Sequence, residues 1–450
     1  MALGALLLWL MLPRSTEHPT HPALWWGLAI FLGQMSVCGL LWLSAWLNGG
    51  LIQAGPVARV MTVAVGLFLL LNSRKLPALL ARPRLPTRPN LAYLAQVRMA
   101  PTALLFLALS ALLCLHVVQL WHEVLLRPSY GADTLSLLGL RAKHLHLGMN
   151  VADPFIIGEN YPLFISLLRL WPNVWQAEFR EVLPNVSWGV AYLGILLTMY
   201  GGLRQHALRP LWALVATYAL ASVPLLGIHI ALSGYVDFHV AYGILAALLC
   251  LGFAIKSRRL AWWLVFFVCV FAVSKMKRPT IYWGVLLLAS AWVGASALMP
   301  LRRWWQGSVG MGLVGGLAVL AVANKGALYY QEHFNLKTFN IMPEMFVENL
   351  WIGSSYNLLW TMLVMLLLYA WRQLSAPAIR APAFFVLSGL LVTVLSVGLT
   401  ASNPYWAVQT VINRSLLHFV PSMVLLMALL WHAQQAADAP PRNEEPTAGA

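Results

Sequence analysis

Solid apolar blocks separated by short polar or basic breaks run through almost the whole chain, and no long stretch alternates apolar with polar residues. A helix needs roughly 20 apolar residues to cross about 30 Å of hydrocarbon, whereas barrel strands would repeat with a period of two. The pattern therefore predicts an all-α fold, a polytopic transmembrane helical bundle of about twelve spans. The spans are expected at 22–46, 57–72, 103–121, 188–202, 211–228, 239–255, 260–274, 280–299, 307–323, 356–371, 382–401 and 415–432. Residues 2–12 form one more apolar run, with no basic segment before it, and read as a membrane-associated or re-entrant start.

Composition agrees with the blocks: 60% hydrophobic and 10% charged residues exclude a water-soluble domain of this length. The basic, proline-rich stretch 73–98 divides residues 1–99, N-terminal membrane helices plus a linker, from a membrane core over 100–432. Residues 433–450 are a polar, proline-containing tail expected to be disordered. Cys38, Cys114, Cys250 and Cys269 all fall within expected spans, which points to packing and away from a disulfide framework.

Arg74, Lys75, Arg82, Arg84, Arg88 and Arg98 mark the 73–98 stretch as cytoplasmic under the positive-inside rule. Alternation from there puts Arg204, Arg209, Lys256 to Arg259, Arg302, Arg303, Arg372 and Arg380 inside as well. The net charge of +15 is then a property of loops facing anionic lipid, and gives no reason to expect a nucleic-acid partner. On the same topology Asp133, Glu159, Asp237, Glu332, Glu344 and Glu348 all fall outside. Lys275, Lys277 and Arg278 also land outside, against the rule. Such a cluster calls for a local acidic partner, an anionic ligand or a misplaced span.

The outer segment 122–187 carries two expected interfacial helices. In the first, Leu137, Leu140, Leu145 and Leu147 are expected to face the membrane while Arg141, Lys143, His144 and His146 face water. The second runs from Pro162 to Trp175. Asp133 has a plain reading as the cap of the first helix, and Asp237 as the cap of the helix starting near Phe238. His418 lies one helical turn after Arg414 and can share its face. His116 and His229 show no charged partner in the sequence and read as packing residues.

Four segments together resemble the GT-C superfamily of integral-membrane glycosyltransferases, in particular the bacterial dolichyl-phosphate-mannose mannosyltransferase-like group. They are GADTLSLLGLRAK at 131–143, ENYPLFISLL at 159–168, SGYVDFHVAY at 233–242 and NRSLLHFVP at 413–421, in the family's order. The resemblance implies a sugar donor carried on a polyprenyl phosphate, used on the periplasmic face of a bacterial inner membrane. It implies Asp133 as catalytic base and Arg414 at the donor phosphate, while the charge and spacing of the residues themselves add Lys275, Lys277, Arg278 and His418 as phosphate-side candidates. Asp237, Tyr235, Glu159, Tyr161, Arg141 and Lys143 become candidates for contacting the sugar or the acceptor. The chain departs from the family pattern at Asn160 and Leu138, at SKMKRP in place of Lys-Asn-Glu-Gly, and in lacking an acid beside Asp133.

The residues support the same chemistry on their own terms. Glycosyl transfer from a phosphate needs a base at the nucleophile and cations at the departing phosphate. No Walker or Rossmann glycine pattern is present, which favours a lipid-carried donor over a nucleotide sugar. The residues assign no cofactor, and a divalent metal stays open. The expected partners are a polyprenyl-phosphate-linked sugar, membrane lipids and a glycan, lipid or protein acceptor. A lipid-linked oligosaccharide ligase or polymerase, or a transporter or flippase of an anionic lipid, would use similar cations.

Overall fold

The computed structural model describes residues 1–12, 20–72, 101–131, 133–157, 162–277, 280–296, 344, 347–352, 355–400 and 412–438. Every regular element among them is helical. The first helices are α1 (Ala2–Met11), α2 (Pro22–Leu47), α3 (Ala54–Asn72) and α4 (Pro101–Leu126). A π-helical turn, Thr134–Leu138, leads into α5 (Gly139–His146), and α6 (Phe164–Leu170) follows. The core continues with α7 (Val186–Gln205), α8 (Pro210–Ala221), α9 (Pro224–Ala231), α10 (Asp237–Ser257), α11 (Leu260–Met276) and α12 (Thr280–Ala295). The last are α13 (Leu359–Tyr369), α14 (Pro377–Thr400), α15 (Asn413–Leu417) and α16 (Val420–Asp438).

Proline is the first residue of α2, α4, α8, α9 and α14, where its fixed φ suits the first turn and its missing N–H costs nothing. Pro224 does more. It follows the extended Val223 and breaks the expected 211–228 span into α8 and α9, which meet at 62°.

Five helical stretches are long and apolar enough to cross a membrane: 22–47, 101–126, 183–205, 237–257 and 377–394. The α8–α9 pair makes six if it is one bent span. Helices also occupy the other expected positions among the described residues, but α11, α12 and α13 have 17, 16 and 11 residues. At 1.5 Å per residue these fall short of about 30 Å of hydrocarbon. The expected 307–323 span, the 73–98 linker and the end of the tail lie outside the described residues.

Helix α10 forms the axis of the bundle, with 94% of its apolar window buried, whereas α4 has 6% and lies at the periphery. Apolar packing alone gives little preference for a neighbouring helix over lipid tails, so close approach of backbones matters. Helices α2 and α7 meet through small residues: a Cβ at Gly201 would sit 2.0 Å from the Leu24 backbone nitrogen. Tyr242 of α10 donates to the Gly27 carbonyl oxygen at 2.5 Å and ties this pair to the axis. Helix α1 packs on α2, with Gly4 against the Ala29 backbone. Cys38, Cys250 and Cys269 are buried packing residues and Cys114 is exposed; all are free thiols.

Candidate functional site

Neighbouring antiparallel helices bring the start of one beside the end of the next. The start of α10 carries Asp237, the end of α11 is followed by Lys277, and α15 carries Arg414 with His418 just after it. These residues meet at one point together with Asp133, which precedes the π-helical turn. Arg414 spans two carboxylates: its Nη2 donates to Asp133 Oδ2 at 2.6 Å and its Nε to Asp237 Oδ2 at 2.7 Å. Lys277 Nζ lies 3.2 Å from Asp237 Oδ1, and His418 Nε2 lies 3.0 Å from the same oxygen. The guanidinium also rests on the Tyr235 ring, 4.9 Å from its centroid.

Neither aspartate is a simple cap. Asp133 makes no side-chain cap hydrogen bond. Asp237 is the first residue of α10, where the helix dipole favours a negative charge, yet its oxygens are turned to the cations. Asp237 is fully buried, while the side chains of Asp133, Arg414 and Lys277 stay 23%, 22% and 18% exposed. The open side of the cluster is thus Asp133, Arg414 and Lys277. Among the described residues two carboxylates face two cations, so these four charges balance if His418 is neutral.

The hydrogen bonds of His418 settle that point. Trp283 Nε1–H can only donate, and it lies 3.0 Å from His418 Nδ1. Nδ1 is therefore an acceptor, and the ring proton sits on Nε2, directed at Asp237. His418 is neutral and fully engaged, which removes it from the expected phosphate contacts. Asp237 is corrected in the same way: with both oxygens held by cations it positions Arg414 and Lys277 and offers no free edge to a sugar. Lys277 has an acidic partner in Asp237, one of the alternatives that its sequence position left open.

The turn between α9 and α10 holds the site from below. Ser233 has φ of 40° and Gly234 of 145°, and a Cβ at Gly234 would fall 1.8 Å from Thr134 Oγ1. Only glycine accommodates both the angle and the contact. Arg169 supports the turn, donating from Nη1 to the Ser233 carbonyl oxygen at 2.8 Å and from Nη2 to Ser129 Oγ at 2.7 Å. Ser129 donates to Asn185 Oδ1, and Trp188 Nε1 donates to the Tyr235 carbonyl oxygen at 3.2 Å. On the other side, Asn413 Nδ2 donates to Asn349 Oδ1 and Tyr356 donates to the Asn413 carbonyl oxygen at 2.7 Å, which fixes α15.

Three other expectations are corrected. Lys275, in the last turn of α11, is exposed and leans over the Phe271 ring at 5.7 Å, whereas Lys277 follows the helix end in extended backbone and reaches Asp237. Arg141 is buried, donating to the Phe155 carbonyl oxygen at 3.3 Å, and burial lowers its pKa. The buried face of that segment is Thr134, Leu138, Arg141, Ala142 and Leu145, while Leu147 is 70% exposed. Lys143 does face outward, 3.9 Å from Glu181 and apart from the cluster. Glu344 and Glu348 are exposed, and that segment touches the site through Asn349. Glu159, Tyr161, Arg278 and Glu332 lie outside the described residues. His116 and His229 carry no ion pair among the described residues, and His229 Nδ1 bonds the Leu225 carbonyl oxygen within its own helix.

Among the described residues no three His, Cys, Asp or Glu side chains converge as metal ligands. Asp133 and Asp237 are joined by a guanidinium, an arrangement built for charge pairing. The residues present therefore do not fit a divalent metal held between these carboxylates. Comparisons with protein-family models, curated proteins and solved structures return no match to this chain.

Proposed function

We propose that the chain is an inverting glycosyltransferase of the membrane, moving a sugar from a polyprenyl-phosphate donor to an acceptor on the extracytoplasmic side, with Asp133 as base. The observation that carries this reading is the Arg414 bridge. It joins Asp133 and Asp237, which lie 281 and 177 residues away in sequence, and leaves the Asp133 end open. The reading also takes the chain as a bacterial inner-membrane protein of about twelve spans, with residues 122–187 outside the cytoplasm.

In the described state the Asp133 carboxylate is tied to Arg414. A donor phosphate entering from the open side competes with Asp133 for the guanidinium, whose fork suits phosphate oxygens. Asp237 keeps the Nε side of Arg414 anchored during the exchange. The freed Asp133 carboxylate takes the proton of the acceptor hydroxyl. The acceptor oxygen then bonds the anomeric carbon as the bond from that carbon to the phosphate oxygen breaks, inverting the centre. Arg414 and Lys277 stabilise the charge left on polyprenyl phosphate. Donor binding thereby becomes the step that activates the base.

The test is Asp133→Asn in a transfer assay with a lipid-linked sugar. General-base loss predicts a fall of about 100- to 10,000-fold at unchanged expression and fold. A variant that keeps full transfer removes Asp133 from the mechanism. Lipid translocation by a protein without any transfer activity would favour a transporter.

A further inference from the structure

Beside the Ser233–Gly234 turn lies a cavity of about 110 Å³ whose wall is largely apolar and whose polar lining is Ser129, Thr134, Lys143, Arg169 and Glu181. A single water needs only about 10–15 Å³ on this scale, so the space suits a group of several heavy atoms. It is well below the roughly 300–1,000 Å³ of pockets that enclose whole drug-sized ligands. The polar lining is positive: two cations, Arg169 and Lys143, face one acid, Glu181.

Arg169 is the unusual member. Its side chain is buried, 2% exposed, and among the described residues no carboxylate lies within ion-pair distance of it, Glu181 acting on it only from farther off. Its neighbours are a carbonyl, a hydroxyl and the Trp188 ring 5.4 Å away, and its Nε has no hydrogen-bond partner. Burying a guanidinium with an unsatisfied donor is costly unless an anion completes the set. Lys143 stands at the same cavity, its ion-pair contact among the described residues being a long surface one to Glu181 that contributes little.

We infer that this cavity is a binding site for a small anionic group, a phosphate or a carboxylate, received by Arg169 and Lys143. The site is distinct from the Arg414 cluster and linked to it, because Arg169 and Thr134 both bond the Ser233 carbonyl oxygen two residues before Tyr235. If the neighbouring cluster transfers sugar, the anion is a substituent of the acceptor or a lipid beside it.

The experiment is calorimetric titration of the detergent-purified full chain with inorganic phosphate and, separately, with short-chain phosphatidic acid. Saturable binding is expected, with one equivalent that is weakened about tenfold or more in Lys143→Ala and in Arg169→Lys and that remains in Arg414→Ala, where the donor-phosphate contact is removed. Binding of phosphatidic acid alone identifies a lipid headgroup as the ligand, and binding of phosphate alone identifies a soluble anion. No saturable binding of either probe, or binding lost in Arg414→Ala and kept in Lys143→Ala, overturns the inference. Lys143 is half-exposed, so its variant keeps the test valid if Arg169→Lys does not fold. No transfer is measured, so failure here leaves the glycosyltransferase proposal standing.

Discussion

Asp237→Asn is the substitution that probes the cluster most sharply, because it keeps the shape of the side chain and removes one charge. Asp237 is fully buried with Lys277, Arg414 and His418 on its oxygens. The asparagine removes the charge that Lys277 and Arg414 share. Removing one partner of a buried ion pair costs about 3–5 kcal/mol. The two cations are about a fifth exposed and Arg414 keeps Asp133, so the lower end, ~3 kcal/mol, is expected. Lys277→Met alone leaves Asp237 its Arg414 and His418 contacts and costs less, ~1–2 kcal/mol. The double variant restores charge balance, so its loss falls below the sum of the singles by about 1–3 kcal/mol. Denaturant unfolding in mixed micelles, followed by circular dichroism, measures all four proteins. Costs additive within about 0.5 kcal/mol, with Asp237→Asn near wild type, would refute a coupled buried network.

Two further outcomes follow from local geometry. Gly234→Ala places a methyl on Thr134 at a φ of 145°, with a loss of at least ~2 kcal/mol from backbone strain; Thr134→Ala in the same chain recovers the steric part only, as melting in detergent will show. His206, in the connection after α7, has its pKa pushed down to about 4 by burial, with Lys256 and His432 adding to the shift. The unfolded chain takes up that proton first, near pH 6.5, so stability is full above pH 6.5 and falls as pH drops toward 4. His206→Phe should flatten the stability profile in that window, and an unchanged profile would remove His206 as its cause.

Asp133, Asp237 and Lys277 drew attention in the sequence as charged residues at the edges of apolar blocks, and Tyr235, Arg414 and His418 through the segments 233–242 and 413–421. Their roles were not legible. Nothing in the chain announced that Trp283 would fix the tautomer of His418, or that Asp237 would be sealed by cations. Arg141 misled because a charged residue on an amphipathic helix reads as outward-facing, whereas here a backbone carbonyl receives it inside. Arg169 was hidden in the apolar run FISLLRL, where hydrophobic pattern outweighs a single charge. An arginine within such a run is itself a signal of a buried polar contact. The α8–α9 break was marked by Pro224, which a count of apolar residues passes over.

The most direct test of the central claim is mass spectrometry of lipid bound to the purified chain, comparing wild type with Arg414→Ala. The account predicts a polyprenyl phosphate, with or without its sugar, carried by wild type and lost from the variant. Ordinary phospholipid alone in both proteins would contradict it and leave Arg414 a structural tie between two aspartates.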